Sequence, residues 1–359
     1  MMKLLPVFLA MASLFTSCST NDDDDLYPSE LVEGAYVVNA GFFSNDAASI
    51  TKFDYETDQI TEYYDQLQNE GAGMTSAPQS VFVEDDKLFV AGNTPDRILV
   101  YNPLWVGTDT ITTNVARPRY FASSGDYLYV SCWGESPDWS AMPNTYILKY
   151  NMLTGTSEKI SLAGGPEGIV VANGKLYAAL NYVNKIAVMN LSTKAITYIE
   201  TGAVSSSMVK DANNNVYVAL ISSYSSPTTE TGLGVINTTT DALTRYALSD
   251  VSTSSATTLA LSKDGSKVYV VAAAYDTNWN LAGGVQVFNT STKAFESTPL
   301  ISGVTGINAV EVNPENGDVY VLVSTGGASK GEMKIYSSAH SLKGTKTVGA
   351  NPSGVVFLD

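Results

Sequence analysis

The sequence predicts an all-β chain, a seven-bladed β-propeller with four antiparallel strands per blade. Three observations predict it. First, residues 166–202 (PEGIVVANGKLYAALNYVNKIAVMNLSTKAITYIETG) read as four short strands at 167–171, 175–180, 185–190 and 195–200. Asn173-Gly174 is a two-residue hairpin signal, because both residues tolerate positive φ. LSTK at 191–194 is a second polar turn. Runs such as IVVA and LYAAL are apolar on successive residues, the pattern of a strand buried on both faces. Second, the second strand of this unit recurs as AYVV, KLFV, YLYV, KLYA, NVYV, KVYV and DVYV, marked by Tyr36, Phe89, Tyr129, Tyr177, Tyr217, Tyr269 and Tyr320. The markers are about 40–50 residues apart, the period of a propeller blade, and seven units lie within the usual blade number of about 4–8. Third, the N-terminal blade supplies only three strands, at 35–39, 49–54 and 59–64. The C-terminal PSGVVFLD matches the strands that open other blades, PQSVFV at 78–83, PRYFAS at 118–123 and PEGIVV at 166–171. The strand at 354–359 is therefore expected to join the N-terminal blade and close the ring, which removes an exposed sheet edge.

Residues 1–18 read as a targeting segment: Lys3 is a minimal positive region, 4–15 are apolar, and Thr16, Ser17 and Cys18 are small. The apolar run is too short to span a membrane. LFTSC resembles a bacterial lipobox, with a departure at Phe15, and the resemblance implies lipidation of Cys18. Acyl chains there anchor a protein without spanning; an ordinary secretory signal is the alternative. Residues 19–33 contain DDDD at 22–25 and read as a flexible acidic tether, leaving 34–359 for the propeller. Net charge is −16 with only 20 Lys and Arg. That balance argues against nucleic acid and anionic membrane surfaces as partners, so membrane contact is expected through the anchor alone. With Cys18 lipidated, Cys132 has no disulfide partner and stability must come from packing. Cys132 ends a second strand and reads as a small buried hydrophobe.

The connections carry the functional argument. In a four-stranded meander the first–second and third–fourth turns share one face. Here these are short Asx and glycine turns without chemistry, such as 84–86, 172–174 and 289–293. The second–third connections share the other face with the blade-to-blade links, and they are long and irregular at 39–49, 132–145, 221–232 and 273–284, joined by the link at 65–77. They hold Phe42, Phe43, Trp133, Trp139, Tyr224, Tyr275 and Trp279, with Tyr182 in the shorter blade 4 connection. Trp105 follows a third strand and faces the other way. Long loops on a rigid scaffold carry function. Aromatics ringed by Asn, Ser and Asp suit a large, flattish, neutral ligand with an amide- or hydroxyl-rich rim. The alternative is that each aromatic packs only its own loop. Arg117 and Arg119 lie at the blade 2–3 link; Arg119 opens an innermost strand, where it either presents a cation at the central mouth or pairs with a local carboxylate.

Catalytic signatures are sparse. His340 is the single histidine and reads as a surface turn residue. It leaves no His-rich metal site and disfavours a Ser–His–Asp triad. No P-loop is present. Asp46, Glu135, Asp138, Glu230 and Asp276 lie on the loop face and together would suit Ca²⁺, but without EF-hand spacing they read as scattered surface acids. No cofactor, metal or catalytic residue is assigned.

The P-x-G-I/V-V-V, K-L-Y-V, I-x-V-x-N and T-x-K repeat resembles the YncE-like, surface-layer-type seven-bladed propellers over residues 34–359. With the lipobox and acidic run, the chain is similar to the cobalamin-capturing surface lipoproteins of the BtuG type in Bacteroidetes. That resemblance implies an outer-membrane, lipid-anchored protein facing the cell exterior. It also implies a TonB-dependent vitamin B12 transporter as partner. One propeller hosts many functions, so the repeat specifies the fold and not the ligand; the loop asymmetry and the family likeness together give the expectation of a non-enzymatic protein binding cobalamin or a related corrinoid. A glycan-binding or adhesion propeller and a metal-dependent lactonase-like hydrolase stand as alternatives. The candidate ligand contacts are Phe42, Phe43, Arg119, Trp133, Trp139, Tyr182, Tyr224, Tyr275 and Trp279.

Overall fold

A computed structural model describes residues 33–358 apart from 42–47, 136–137, 224–225, 250, 252–257, 276–280 and 327–328. The targeting segment with Cys18, most of the tether, and Phe42, Phe43, Tyr224 and Trp279 therefore lie outside the described residues.

Seven antiparallel sheets follow one another along the chain. Blade 1 comprises, from the inside outward, Pro352–Leu358, Gly34–Asn39, Ser49–Asp54 and Ile60–Thr61. Blade 2 holds Ala77–Glu84, Lys87–Asn93, Arg97–Tyr101 and Gly107–Ile111, and blade 3 holds Pro118–Ser124, Tyr127–Cys132, Tyr146–Asn151 and Ser157–Ser161. Blade 4 runs through Pro166–Ala172, Lys175–Leu180, Lys185–Asn190 and Ile196–Glu200, and blade 5 through Val204–Lys210, Asn215–Ile221, Gly232–Asn237 and Ala242–Ala247. Blade 6 is Leu259–Leu261, Lys267–Tyr275, Leu281–Asn289 and Ala294–Phe295. Its third strand also pairs Ile301–Thr305, so the outer edge is split between two segments. Blade 7 is Ile307–Val312, Val319–Val323, Lys330–Tyr336 and Leu342–Ala350.

The expected closure is present: Val37 stands opposite Val355 and Gly34 opposite Leu358. Among the described residues, the strand expected over 59–64 shortens to Ile60–Thr61 and the blade 1–2 link forms a short helix, Tyr64–Gln68. Its buried Asp65 accepts the Ile50 and Met74 backbone N–H groups at 2.9 and 3.2 Å.

The successive apolar residues have a simple cause. Side chains alternate across a strand, and every blade here has a neighbour on both faces. In Lys87–Asn93, Leu88 and Val90 pack on Tyr36 and Ile50 of blade 1, while Phe89 and Ala91 pack on Phe121 and Leu128 of blade 3. Each marker aromatic lies in a buried cluster shared with the following blade, and Tyr320 of blade 7 returns to Ala35, Val37 and Val355 of blade 1. Tyr36, Tyr177, Tyr269 and Tyr320 are fully buried. Trp105 is also fully buried, its ring tilted against Tyr36 and Tyr101 at centroid distances of 6.0 and 5.5 Å. Cys132 is buried, and burial pushes its thiol up to about 12.

His340 departs from the expectation of a surface turn residue. It is half-buried, with Nε2 3.1 Å from the Tyr269 hydroxyl and 3.4 Å from Lys267 Nζ. It thereby packs the last connection of blade 7 onto blade 6, and burial, then Lys267, lowers its pKa.

Candidate functional site

The innermost strands carry a repeated irregularity. Near its first residues, the pairing register slips in six of the seven sheets, between Pro78 and Ser80, Pro118 and Phe121, Pro166 and Ile169, Ser205 and Met208, Ile307 and Ala309, and opposite Val38 and Asn39. A bulge bends its strand and re-aims side chains. Here it frees side chains at one end of the ring to reach a neighbouring blade. Ser80 Oγ donates to the Arg119 carbonyl, Ser205 Oγ accepts the Leu180 N–H at 2.9 Å, Ser207 Oγ accepts Thr258 N–H at 3.1 Å, and Asn308 Nδ2 donates to Pro352 O at 2.7 Å. The backbones come close enough to require glycine at 168, where a Cβ would stand 2.6 Å from Ser206 O.

The strongest of these ties joins blades 3 and 4. Arg119 Nη2 and Nε donate to the two carboxylate oxygens of Glu167 at 2.6 and 3.0 Å, and Nη1 donates to Gln79 Oε1 of blade 2. Both charged side chains are almost wholly buried. Burial works against the charged guanidinium, and the adjacent Glu167 carboxylate outweighs it, so the Arg119 pKa is raised. Of the two sequence readings for Arg119, the structure realises the pairing one. Its guanidinium is committed to protein groups.

Trp133 lies over this pair. Arg119 Cζ is 4.3 Å from the Trp133 ring centroid, and the indole N–H donates to Pro166 O at 3.1 Å. Trp139 and Tyr182 meet Trp133 edge-on at 5.9 and 5.7 Å and each other at 6.3 Å. Local structure aims each ring. The 133–145 excursion is anchored by Met142, fully buried, while Asp138 Oδ1 accepts the Ser140 N–H and hydroxyl at 3.0 and 2.6 Å. This turn lifts Trp139 to the surface, where it is 53% exposed. Tyr182 is seated by Gly165 at φ 67°, where a Cβ would stand 2.7 Å from the Tyr182 ring. Arg117 Cζ lies 5.7 Å from the Trp139 ring centroid. Edge-to-face rings hold one another rigidly, and a half-exposed indole offers a flat apolar surface with a cation beside it.

The structure thus brings Arg119, Trp133, Trp139 and Tyr182 together. Tyr275 is half exposed at the end of the second strand of blade 6, opposite Leu281. Glu167 and Gln79 were missed from sequence. A signal existed: both follow the proline that opens an innermost strand, in the same register as Arg119. Among the described residues no group of three or more His, Cys, Asp or Glu lies close enough to hold a metal; Glu230 instead pairs with Arg245 at 2.7 Å. Two cavities lie away from the aromatic cluster. One of about 470 Å³ is on the outer flank of the 133–145 excursion, beside Glu135, Tyr146 and Lys159. Another of about 380 Å³ lies between blades 7 and 1, beside Tyr55, Tyr320, Lys343 and Lys346. Neither of these two cavities is lined by Arg119, Trp133, Trp139 or Tyr182.

Residues 33–352 match the profile of a family described as Domain of unknown function (DUF5074). No curated protein matches the chain. Solved structures similar to it include a quinoprotein alcohol dehydrogenase-like protein from Bacteroides thetaiotaomicron, at 14% identity over 91% of this chain and 78% of that one, TM-score 0.67. A periplasmic gluconolactonase of Pseudomonas aeruginosa is similar at 15% identity over 91% and 99%, TM-score 0.66. A candidate 6-phosphogluconolactonase from Bacteroides fragilis is similar at 13% identity over 92% and 100%, TM-score 0.65. At these identities the likeness is one of fold.

Proposed function

The chain belongs to the family described as Domain of unknown function (DUF5074), and from that premise we propose that it is a non-enzymatic binding propeller whose loop face captures cobalamin or a related corrinoid. The observation that carries the reading is the Trp133–Trp139–Tyr182 platform, rigid at its base and half exposed at Trp139, set over a guanidinium already neutralised by Glu167. Such a surface takes a large flat molecule by stacking while neighbouring backbone and amide groups read its rim. In the same proposal, Cys18 carries the lipid anchor, the protein sits on the outer membrane facing outward, and it hands its ligand to a TonB-dependent transporter.

Titration calorimetry of the full chain with cyanocobalamin tests this. A saturable heat that Trp139→Ala removes supports the reading; no heat, together with no corrinoid absorbance in the purified protein, counts decisively against it. An exposed indole is also the surface on which a pyranose ring stacks, so a glycan array is the second assay. A specific glycan signal with no corrinoid binding replaces the ligand and keeps the platform. The lactonase-like alternative has fold likeness alone behind it, and a lactone-hydrolysis assay decides it.

A further inference from the structure

Two arginines stand two residues apart at the platform and are used differently. Arg119 is sealed by Glu167 and Gln79. Arg117 is partly exposed, with its backbone in the left-handed region at φ 48° and its carbonyl accepting the Trp133 N–H at 3.1 Å. Its guanidinium rests against Trp139, and among the described residues it takes part in none of the ion pairs. In a chain of net charge −16, a guanidinium that joins no ion pair among the described residues, beside the most exposed ring of the cluster, has the chemistry an anionic group needs. Contact with an indole leaves the N–H donors available, and their fork fits two oxygens of a phosphate or carboxylate.

We propose that Arg117 and Trp139 form a subsite for an anionic oxygen group attached to a planar ring system. The ligand of this face then carries an anionic oxygen group, whatever its net charge, which the aromatics alone did not suggest. The inference rests on the binding reading above and narrows it: among corrinoids, the site prefers those that keep the phosphodiester of the nucleotide loop.

The test uses the full chain, tryptophan fluorescence, and three small probes, 2-naphthyl phosphate, 2-naphthoate and 2-naphthol. The wild type is expected to bind at least one anion about tenfold more tightly than naphthol, and which anion wins separates phosphate from carboxylate. Arg117→Gln should erase the preference at unchanged melting temperature, and Arg117→Lys should keep part of it. Should Arg117→Gln fail to fold, ionic strength decides: added salt must shrink the wild-type preference. Equal binding of the three probes, or a preference that survives Arg117→Gln or salt, overturns the subsite. Cyanocobalamin and dicyanocobinamide, which lacks the phosphodiester, are titrated in parallel. Preference for cobalamin supports the subsite and equal binding overturns it. Binding of neither sinks the corrinoid reading alone, and the naphthyl series then decides the subsite.

Discussion

Arg119 of blade 3 and Glu167 of blade 4 face each other in a two-pronged ion pair, 2.6 and 3.0 Å long, beneath the Trp133 ring. Burying two charges is costly, and removing one partner leaves the other uncompensated. Arg119→Met or Glu167→Leu should each destabilise the protein by about 3–5 kcal/mol in chemical denaturation. The double variant should recover much of the loss. Single variants as stable as the wild type would show that the pair is not buried as described.

Trp133 and Trp139 should separate stability from binding. Trp139→Ala, at a half-exposed position, should change stability by no more than about 0.5 kcal/mol while weakening ligand capture by about 2 kcal/mol, as expected of an aromatic anchor. Trp133→Ala removes the bond to Pro166 O and the cover over Arg119, and should cost about 2 kcal/mol of stability as well. Parallel melts and titrations on the two variants check this, and identical profiles would contradict it.

Deleting residues 352–358 removes the inner strand of blade 1 and leaves Gly34–Asn39 with a bare edge. The loss should approach the whole stability of a domain, about 5–15 kcal/mol, seen as a collapsed thermal transition and aggregation. A truncated chain that melts like the parent refutes the closure.

The pH dependence has a definite sign at Asp54. The Thr57 backbone N–H, aided by Lys52 and the Thr57 hydroxyl, lowers its pKa from 3.8 to about 2. A carboxylate depressed in the folded state stabilises above the unfolded value and loses that contribution as pH falls through the folded one. Stability should therefore decline between pH 3.8 and about 2, with a shallower slope in Asp54→Asn. Acid melts of the two proteins that superimpose in slope would exclude this role.

Cys132 should be inert. Its buried thiol, raised to about 12, offers almost no thiolate near neutral pH. Iodoacetamide should label it only after denaturant is added. Rapid labelling of the native protein would mean that blade 3 opens.

The fold was legible because interblade packing writes itself into the chain. The aromatic of each second strand is needed at every blade junction, so it recurs at Tyr36, Phe89, Tyr129, Tyr177, Tyr217, Tyr269 and Tyr320. The helix Tyr64–Gln68 was not legible, since five residues are too few to show a 3.6-residue period. For the site, the loop aromatics pointed to Trp133, Trp139 and Tyr182, but the partner of Arg119 did not follow from its own neighbourhood. Glu167 lies in the next blade, and only superposing Pro118-Arg119 on Pro166-Glu167 and Pro78-Gln79 exposes the complementary charges. The same procedure does not reach Arg117, which joins none of the ion pairs among the described residues.

The pairing of Gly34–Asn39 with Pro352–Leu358 also imposes a timetable. During synthesis, the earliest strands of the propeller must wait, edge bare, until the latest ones have emerged. Such a chain cannot mature blade by blade from its beginning; its final stitch licenses the first sheet. Quality-control machinery that shields nascent strands should matter more for this protein than for a propeller whose opening blade is complete on its own.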